Sequence, residues 1–141
     1  MALIGEKDRK LIEDRFKTLV HPVKIINFTQ EFECDYCRET RQLLEEVSSI
    51  SDKISFEVYN FVTDKSVAEK YKIDKIPATI VMGAKDYGIR FYGIPAGYEF
   101  SSLLEDIIAV SRKESGLSEK TRGKLKEITK PVHMQVFVTP T

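Results

Sequence analysis

The chain contains no tryptophan, only two cysteines, only two histidines, and five asparagines and glutamines together in 141 residues. It also carries no net charge, because 22 Lys and Arg face 22 Asp and Glu. Each shortage excludes something. A zero balance supplies no general electrostatic drive onto nucleic acid or an acidic membrane, so neither is expected as a partner. No apolar run approaches the roughly 20 residues that span a bilayer. Met1 to Lys10 has no apolar core of signal-peptide length. The expectation is a soluble, cytoplasmic protein. Two cysteines cannot form a disulfide framework. No glycine-rich nucleotide loop is present, so no bound cofactor is expected. Few heat-labile amides beside many Lys and Glu hint at a thermophile.

What is present fits a globular chain that buries a core without staples, at 42% hydrophobic residues. The charge is uneven. Residues 1–110 hold 15 basic and 19 acidic side chains, whereas 111–141 hold 7 and 3. The last thirty residues therefore read as a separate kind of segment.

The pattern predicts helix first, with Leu11, Ile12, Phe16, Leu19 and Val20 at helical spacing, ended by His21-Pro22. A buried strand follows over Val23–Phe28, and a helix runs from Arg38 to about Ser49. Ile54–Tyr59 alternates as a strand. Asp64 can cap a short helix to about Tyr71. Strands follow over Ala78–Met82 and Ile89–Tyr92, antiparallel because the turn is short. A helix over about Glu99–Arg112 carries Phe100, Leu103, Leu104, Ile107 and Ile108 on its buried stripe. A βαβ unit and a ββα unit make a mixed four-stranded sheet covered by helices, an α/β fold. Beyond Gly116, Ser118 opens a basic helix to about Thr129, and Val132–Val138 alternates as a further strand.

The two cysteines stand three apart, as Cys34-Asp35-Tyr36-Cys37, between a strand and a helix. Free N–H groups and the dipole at a helix start favour a thiolate, the species that attacks a disulfide. A second thiol one turn along can resolve the mixed disulfide. In that reading Cys34 is the nucleophile and Cys37 the resolving thiol. Two blander readings stand beside it. The pair can be a passive disulfide, or half of a zinc site. The second half of a zinc site lacks its ligand spacing, because His21 and His133 lie 112 residues apart. The strand–helix context favours the redox pair, with no metal. Glu31, Glu33 and Asp35 would oppose a thiolate at Cys34, and Arg38 and Arg41 would favour it; the net sign depends on geometry, and at least three of the five read as solvated surface.

Ile76-Pro77 precedes the third strand, forty residues after Cys37. A proline there needs no ladder N–H. A cis bond would turn the Ile76 backbone toward the cysteines, where it can pair with an extended substrate chain. Gly93 would let the same substrate approach on its other side.

These residues resemble the thioredoxin superfamily. The tyrosine before the second cysteine is more similar to glutaredoxins than to thioredoxins. Thioredoxins carry a buried acid on the strand before the motif; the matching positions here are Asn27 or Phe28. A nearer resemblance is to the glutaredoxin-like protein disulfide oxidoreductases of thermophilic archaea and bacteria. It rests on His21-Pro22-Val23-Lys24, Tyr71-Lys72-Ile73-Asp74-Lys75-Ile76-Pro77-Ala78-Thr79, the stretch from Tyr87 to Phe100, and Leu104-Glu105-Asp106-Ile107. Members of that family hold two thioredoxin-like units in tandem.

The resemblance implies a thioredoxin-like unit over 1–115 with an extra N-terminal helix. Residues 116–141 would be a linker helix and the first strand of an incomplete second unit. It implies thiol–disulfide exchange with protein substrates through a redox-active Cys34–Cys37 disulfide. Asp35, Tyr36, Ile76, Pro77 and Gly93 would contact the substrate. A flavin-dependent, thioredoxin-reductase-like partner would recharge the pair. A homodimer through 118–141 is a further expectation. The rival functions are a redox-inactive scaffold unit of a larger oxidoreductase, and a glutathione-dependent glutaredoxin using Arg41 and Lys75.

Overall fold

The computed structural model describes residues 1–141. The elements are α1 (Glu6–Phe16), β1 (Val23–Thr29), α2 (Cys37–Ser48), β2 (Ile54–Asn60), α3 (Lys65–Lys70), β3 (Ala78–Met82), β4 (Arg90–Tyr92), α4 (Tyr98–Arg112) and α5 (Glu119–Leu125). The four strands form one mixed sheet in the order β2-β1-β3-β4. β1 runs parallel to β2 and antiparallel to β3, and β3 runs antiparallel to β4.

Alternation along β1 decides what covers each face of the sheet. Val23 and Ile25 enter a core with Leu43, Leu44 and Val47 of α2, Leu103, Leu104 and Ile107 of α4, and Ile12 and Phe16 of α1. Ile26 and Phe28 face the other way, onto Ala68, Ile73, Ala78 and Ile80. The fully buried Ile25, Leu44, Leu103 and Ile107 are each worth about 2 kcal/mol against exposure. Phe28 also stacks on Tyr59, with ring centroids 5.7 Å apart.

Three local expectations are corrected. α1 ends at Phe16, so the stripe is Ile12 and Phe16, and Leu11 and Val20 are exposed. Leu19 is buried from the turn that follows. Asp64 precedes α3 but caps nothing there: its Oδ2 accepts the Asn60 N–H at 2.8 Å instead.

The third correction is the strand over Val132–Val138. Residues 129–141 adopt no regular secondary structure, and neither edge strand of the sheet pairs with them. Alternating apolar residues satisfy a face but not a backbone ladder, and a strand exists only where a partner supplies one. Ser118 does cap α5, accepting the Thr121 N–H at 3.2 Å, but that helix stops at Leu125 and buries nothing. The tail returns to the start of α4. A Cβ built on Gly97, whose φ is +66°, would lie 2.5 Å from the Thr141 carbonyl. Only a glycine suits both that φ and that approach.

Candidate active site

Cys34 and Cys37 are joined in a disulfide, with Cα atoms 5.6 Å apart. α2 begins at Cys37, and Tyr36 holds the N-cap position in the left-handed region at φ 66°. The first-turn N–H groups of a helix have no partner within it, and its positive end points back along the incoming chain, where Cys34 lies. The two sulfurs differ in access: Cys34 is half-buried, whereas Cys37 is 2% exposed. Cys34 Sγ lies 3.7 Å from the Asp35 carbonyl oxygen. Asp35 is exposed, as are Tyr36 at 58% and Phe32 at 76%.

The Ile76–Pro77 peptide bond is cis. Ala78 pairs with Phe28, so Pro77 stands at the sheet end where β1 leaves for the cysteines. Pro77 is buried and Ile76 half-buried. The Gly93 N–H donates to the Pro77 carbonyl at 2.9 Å, which brings those two residues together. Gly93 is required by its φ of +86° rather than by crowding, because a Cβ there meets nothing within 4 Å.

The charges around the motif are solvated or locally paired. Arg41 is paired with Glu45 at 2.9 Å, a helical i,i+4 contact, and Arg38 approaches Glu39 at 3.9 Å. Helix geometry accounts for the Arg41–Glu45 pair, whereas Arg38 is fully solvated and only approaches its sequence neighbour. Lys75 is held by Asp74 at 2.9 Å, and that hydrogen bond raises its pKa. Glu31, Glu33 and Asp35 are exposed and have no ion-pair partner. No three Cys, His, Asp or Glu side chains converge, and His21 and His133 are both exposed.

Sequence reasoning missed a buried polar set beside the cysteines. Thr40 and Thr79 are fully buried, as is Asn27, whose Nδ2 donates to the Ala78 carbonyl at 3.0 Å. The available signal was position: Thr40 lies three residues past Cys37, on the same helix face. A concavity of about 570 Å³ lies between α1, α2 and the start of α4 and is lined mostly by Leu and Ile; neither cysteine borders it.

A four-stranded mixed sheet flanked by helices, with a Cys-x-x-Cys disulfide where β1 passes into α2, defines a thioredoxin-like fold with a site of the thiol–disulfide oxidoreductase kind. The structure is similar to that of a protein disulfide oxidoreductase from Aeropyrum pernix k1, at a TM-score of 0.88 and 27% identity, over 99% of this chain and 62% of that one. In sequence the chain is 27% identical over 110 residues to a Bacillus subtilis NADH dehydrogenase. It is 29% identical over 108 residues to an alkyl hydroperoxide reductase component of Staphylococcus epidermidis. These matches cover 77% and 76% of this chain, which spans about a fifth of either relative's length (19% of each). No family model matches the chain. No helix is long and apolar enough to cross a membrane.

Proposed function

We propose that the chain exchanges its Cys34–Cys37 dithiol and disulfide with protein substrates. The observation that carries this is the unequal access of two joined sulfurs at a helix start. In the reducing direction the Cys34 thiolate attacks a substrate disulfide, and one substrate sulfur leaves as a thiolate. Cys37 then attacks Cys34 Sγ, the internal disulfide forms, and the second substrate sulfur departs. Two electrons pass to the substrate, and two protons end on its thiols. The client backbone would extend along Ile76 and cis-Pro77, with Gly93 behind and Asp35 and Tyr36 at the rim.

Recharging would fall to a flavin-dependent reductase of the thioredoxin-reductase kind, in the cytoplasm. Support comes from the similarity to reductases in which a stretch like this one is a small part. Residues 116–141 would open a second thioredoxin-like unit. The exposed Val132, Met134, Val136 and Phe137 support this, as surface that such a unit, or a second copy of the chain, would bury. The glutathione reading is weaker, because its candidate cations Arg41 and Lys75 are both held by neighbouring acids.

The test is trapping. Cys37→Ser is expected to accumulate a stable mixed disulfide with a protein substrate through Cys34. Equal trapping by Cys34→Ser would reverse the assignment of roles. Trapping by neither variant would leave the scaffold reading.

A further inference from the structure

Four buried side-chain oxygens have no hydrogen-bond partner: Asn27 Oδ1, Thr40 Oγ1, Ser48 Oγ and Thr79 Oγ1. Buried polar atoms are nearly always paired, so four orphans require an explanation. Three of them share one level of the fold. Ile25 pairs with Val81, and both belong to the core under α2. The next inward rung toward the cysteine end is Asn27 opposite Thr79, so their side chains share that face. α2 runs away from that end, passing Cys37, then Thr40, then Leu43 and Leu44, all on its buried side. Thr40 therefore meets the Asn27–Thr79 rung, one helical turn from Cys37.

The Thr40 hydroxyl is unusual in a further way. A helical threonine commonly bonds back to the carbonyl four residues earlier. Here the Tyr36 carbonyl takes the Thr40 N–H at 2.8 Å, and the Thr40 hydroxyl takes no partner. The Asn27 amide is oriented by its bond to Ala78, which leaves Oδ1 as a free acceptor. In the disulfide state, then, a buried hydroxyl with both donor and acceptor capacity stands unused one helical turn from a buried sulfur that is neither donor nor charged.

We propose that Thr40, supported by Asn27 and Thr79, is the polar seat of the Cys37 sulfur once the disulfide opens. The inference rests on the disulfide-exchange reading and assigns a positioning role within it. Reduction adds two electrons and two protons, breaks the Cys34–Cys37 bond, and turns Cys37 into a buried S–H donor. Thr40 Oγ1 accepts that donor. During resolution the roles invert. Cys37 gives up its proton, and the thiolate accepts the Thr40 O–H, since a hydroxyl can serve both ways. The thiolate attacks Cys34 Sγ, the internal bond forms, and the proton ends on the departing substrate sulfur. With Cys37 protonated, Asn27 Oδ1 or Thr79 Oγ1 can accept the Thr40 O–H; with Cys37 as thiolate, only the Thr79 hydroxyl can donate to Thr40 Oγ1. The orphaned oxygens are thus the oxidised half of a hydrogen-bond set that closes on reduction.

The expected result for Thr40→Val, which keeps the shape and removes the hydroxyl, is a disulfide favoured about fivefold to tenfold more in equilibrium with dithiothreitol. A tenfold shift lowers the two-electron potential by about 30 mV. The Cys34 mixed disulfide should persist longer by a similar factor, and Thr40→Ser should restore both quantities. A Thr40→Val protein with unchanged potential and mixed-disulfide lifetime would overturn the proposal. So would a Thr40→Ser protein shifted as far as the valine variant, which would mark a packing effect.

Should the valine variant not fold, Cys34→Ser leaves Cys37 as the only thiol, and its infrared S–H stretch reads the contact directly. A band lowered from the free-thiol frequency is expected, and a free-thiol band overturns the proposal. Failure of the broader reading would look different: no mixed disulfide with any protein substrate, yet a potential that still follows Thr40.

Discussion

The turn that connects β3 to β4 is clamped by an ion pair whose removal should be measurable and pH-dependent. Asp86 Oδ1 accepts from Arg90 Nη1 at 2.9 Å and from the Gly88 N–H at 2.9 Å, and Asp86 Oδ2 accepts from Arg90 Nη2 at 2.7 Å. Arg90 Nη2 also donates to the Tyr71 carbonyl at 3.2 Å, tying β4 to the end of α3. The side chains are 18% exposed for Arg90 and 30% for Asp86, so this pair is less screened than the others on the surface.

Exposed pairs contribute about 0–1 kcal/mol. Two charge-assisted bonds plus a backbone donor, discounted for partial exposure, bring the expected cost of Asp86→Asn to about 2 kcal/mol. At this chain length that is roughly 6–8 °C in Tm. The Arg90 hydrogen bonds hold the Asp86 carboxyl below its ordinary value, against a smaller opposing effect of burial. A carboxylate with a depressed folded-state pKa stabilises fully above its unfolded value, near 3.9, and loses that contribution as pH falls through the folded one. Urea unfolding followed by circular dichroism, with the disulfide intact, should therefore separate wild type and variant at pH 7 and pH 5. The gap should narrow as pH falls below about 3.9 and close only below the depressed folded-state pKa. A gap that is the same at pH 3 as at pH 7 would refute the electrostatic account and leave turn geometry as the cause.

The remaining predictions concern α4. Partial burial, and then neighbouring Glu105, raise the Asp106 pKa. The charged form is thus penalised in the fold above that pKa, and the penalty vanishes below the unfolded value. Asp106→Asn should raise Tm at pH 7 and leave it unchanged near pH 3; an equal gain at both would point to packing instead. Ser111, fully buried, accepts the Val20 N–H at 2.8 Å and donates to the His21 carbonyl at 2.7 Å. Ser111→Ala should cost about 1–2 kcal/mol in chemical unfolding. A neutral result would mean that water replaces both bonds.

The elements that pair or pack locally are legible in the sequence. The pattern reads Ala78–Met82 as a strand with its observed bounds and places β1, β2 and β4 within a residue of theirs, because alternation and branched residues report directly on a pleated, buried surface. The cysteine spacing is equally legible, since two intervening residues let the disulfide close where the chain enters α2. Val132–Val138 shows the limit. Its alternation is as regular as that of β2, yet β2 has β1 beside it and Val132–Val138 has no strand beside it. A periodic pattern states which face would be buried, not whether a ladder exists to bury it.

The polar residues mark a second limit, of a different kind. Asn27, Thr40 and Thr79 look ordinary one at a time, and only the buried strand around Asn27 and the spacing of Thr40 from Cys37 set any of them apart in sequence. Their meaning appears only when register puts Asn27 opposite Thr79 and helix phase puts Thr40 on the buried face of α2 with Cys37. Arg38 and Arg41 illustrate the converse. Adjacent to the motif in sequence, they look like a field acting on Cys34, but helix phase pairs Arg41 with Glu45, and Arg38 stands in solvent near Glu39. Near the reactive sulfurs, then, closeness in sequence overstates the visible charges, and distance in sequence hides the buried hydroxyls. On the reading proposed above, the chemistry of Cys37 would follow from the second group. A 2% exposed thiol has little solvent to exchange protons with, and the groups that can supply hydrogen bonds are those the fold packs around it.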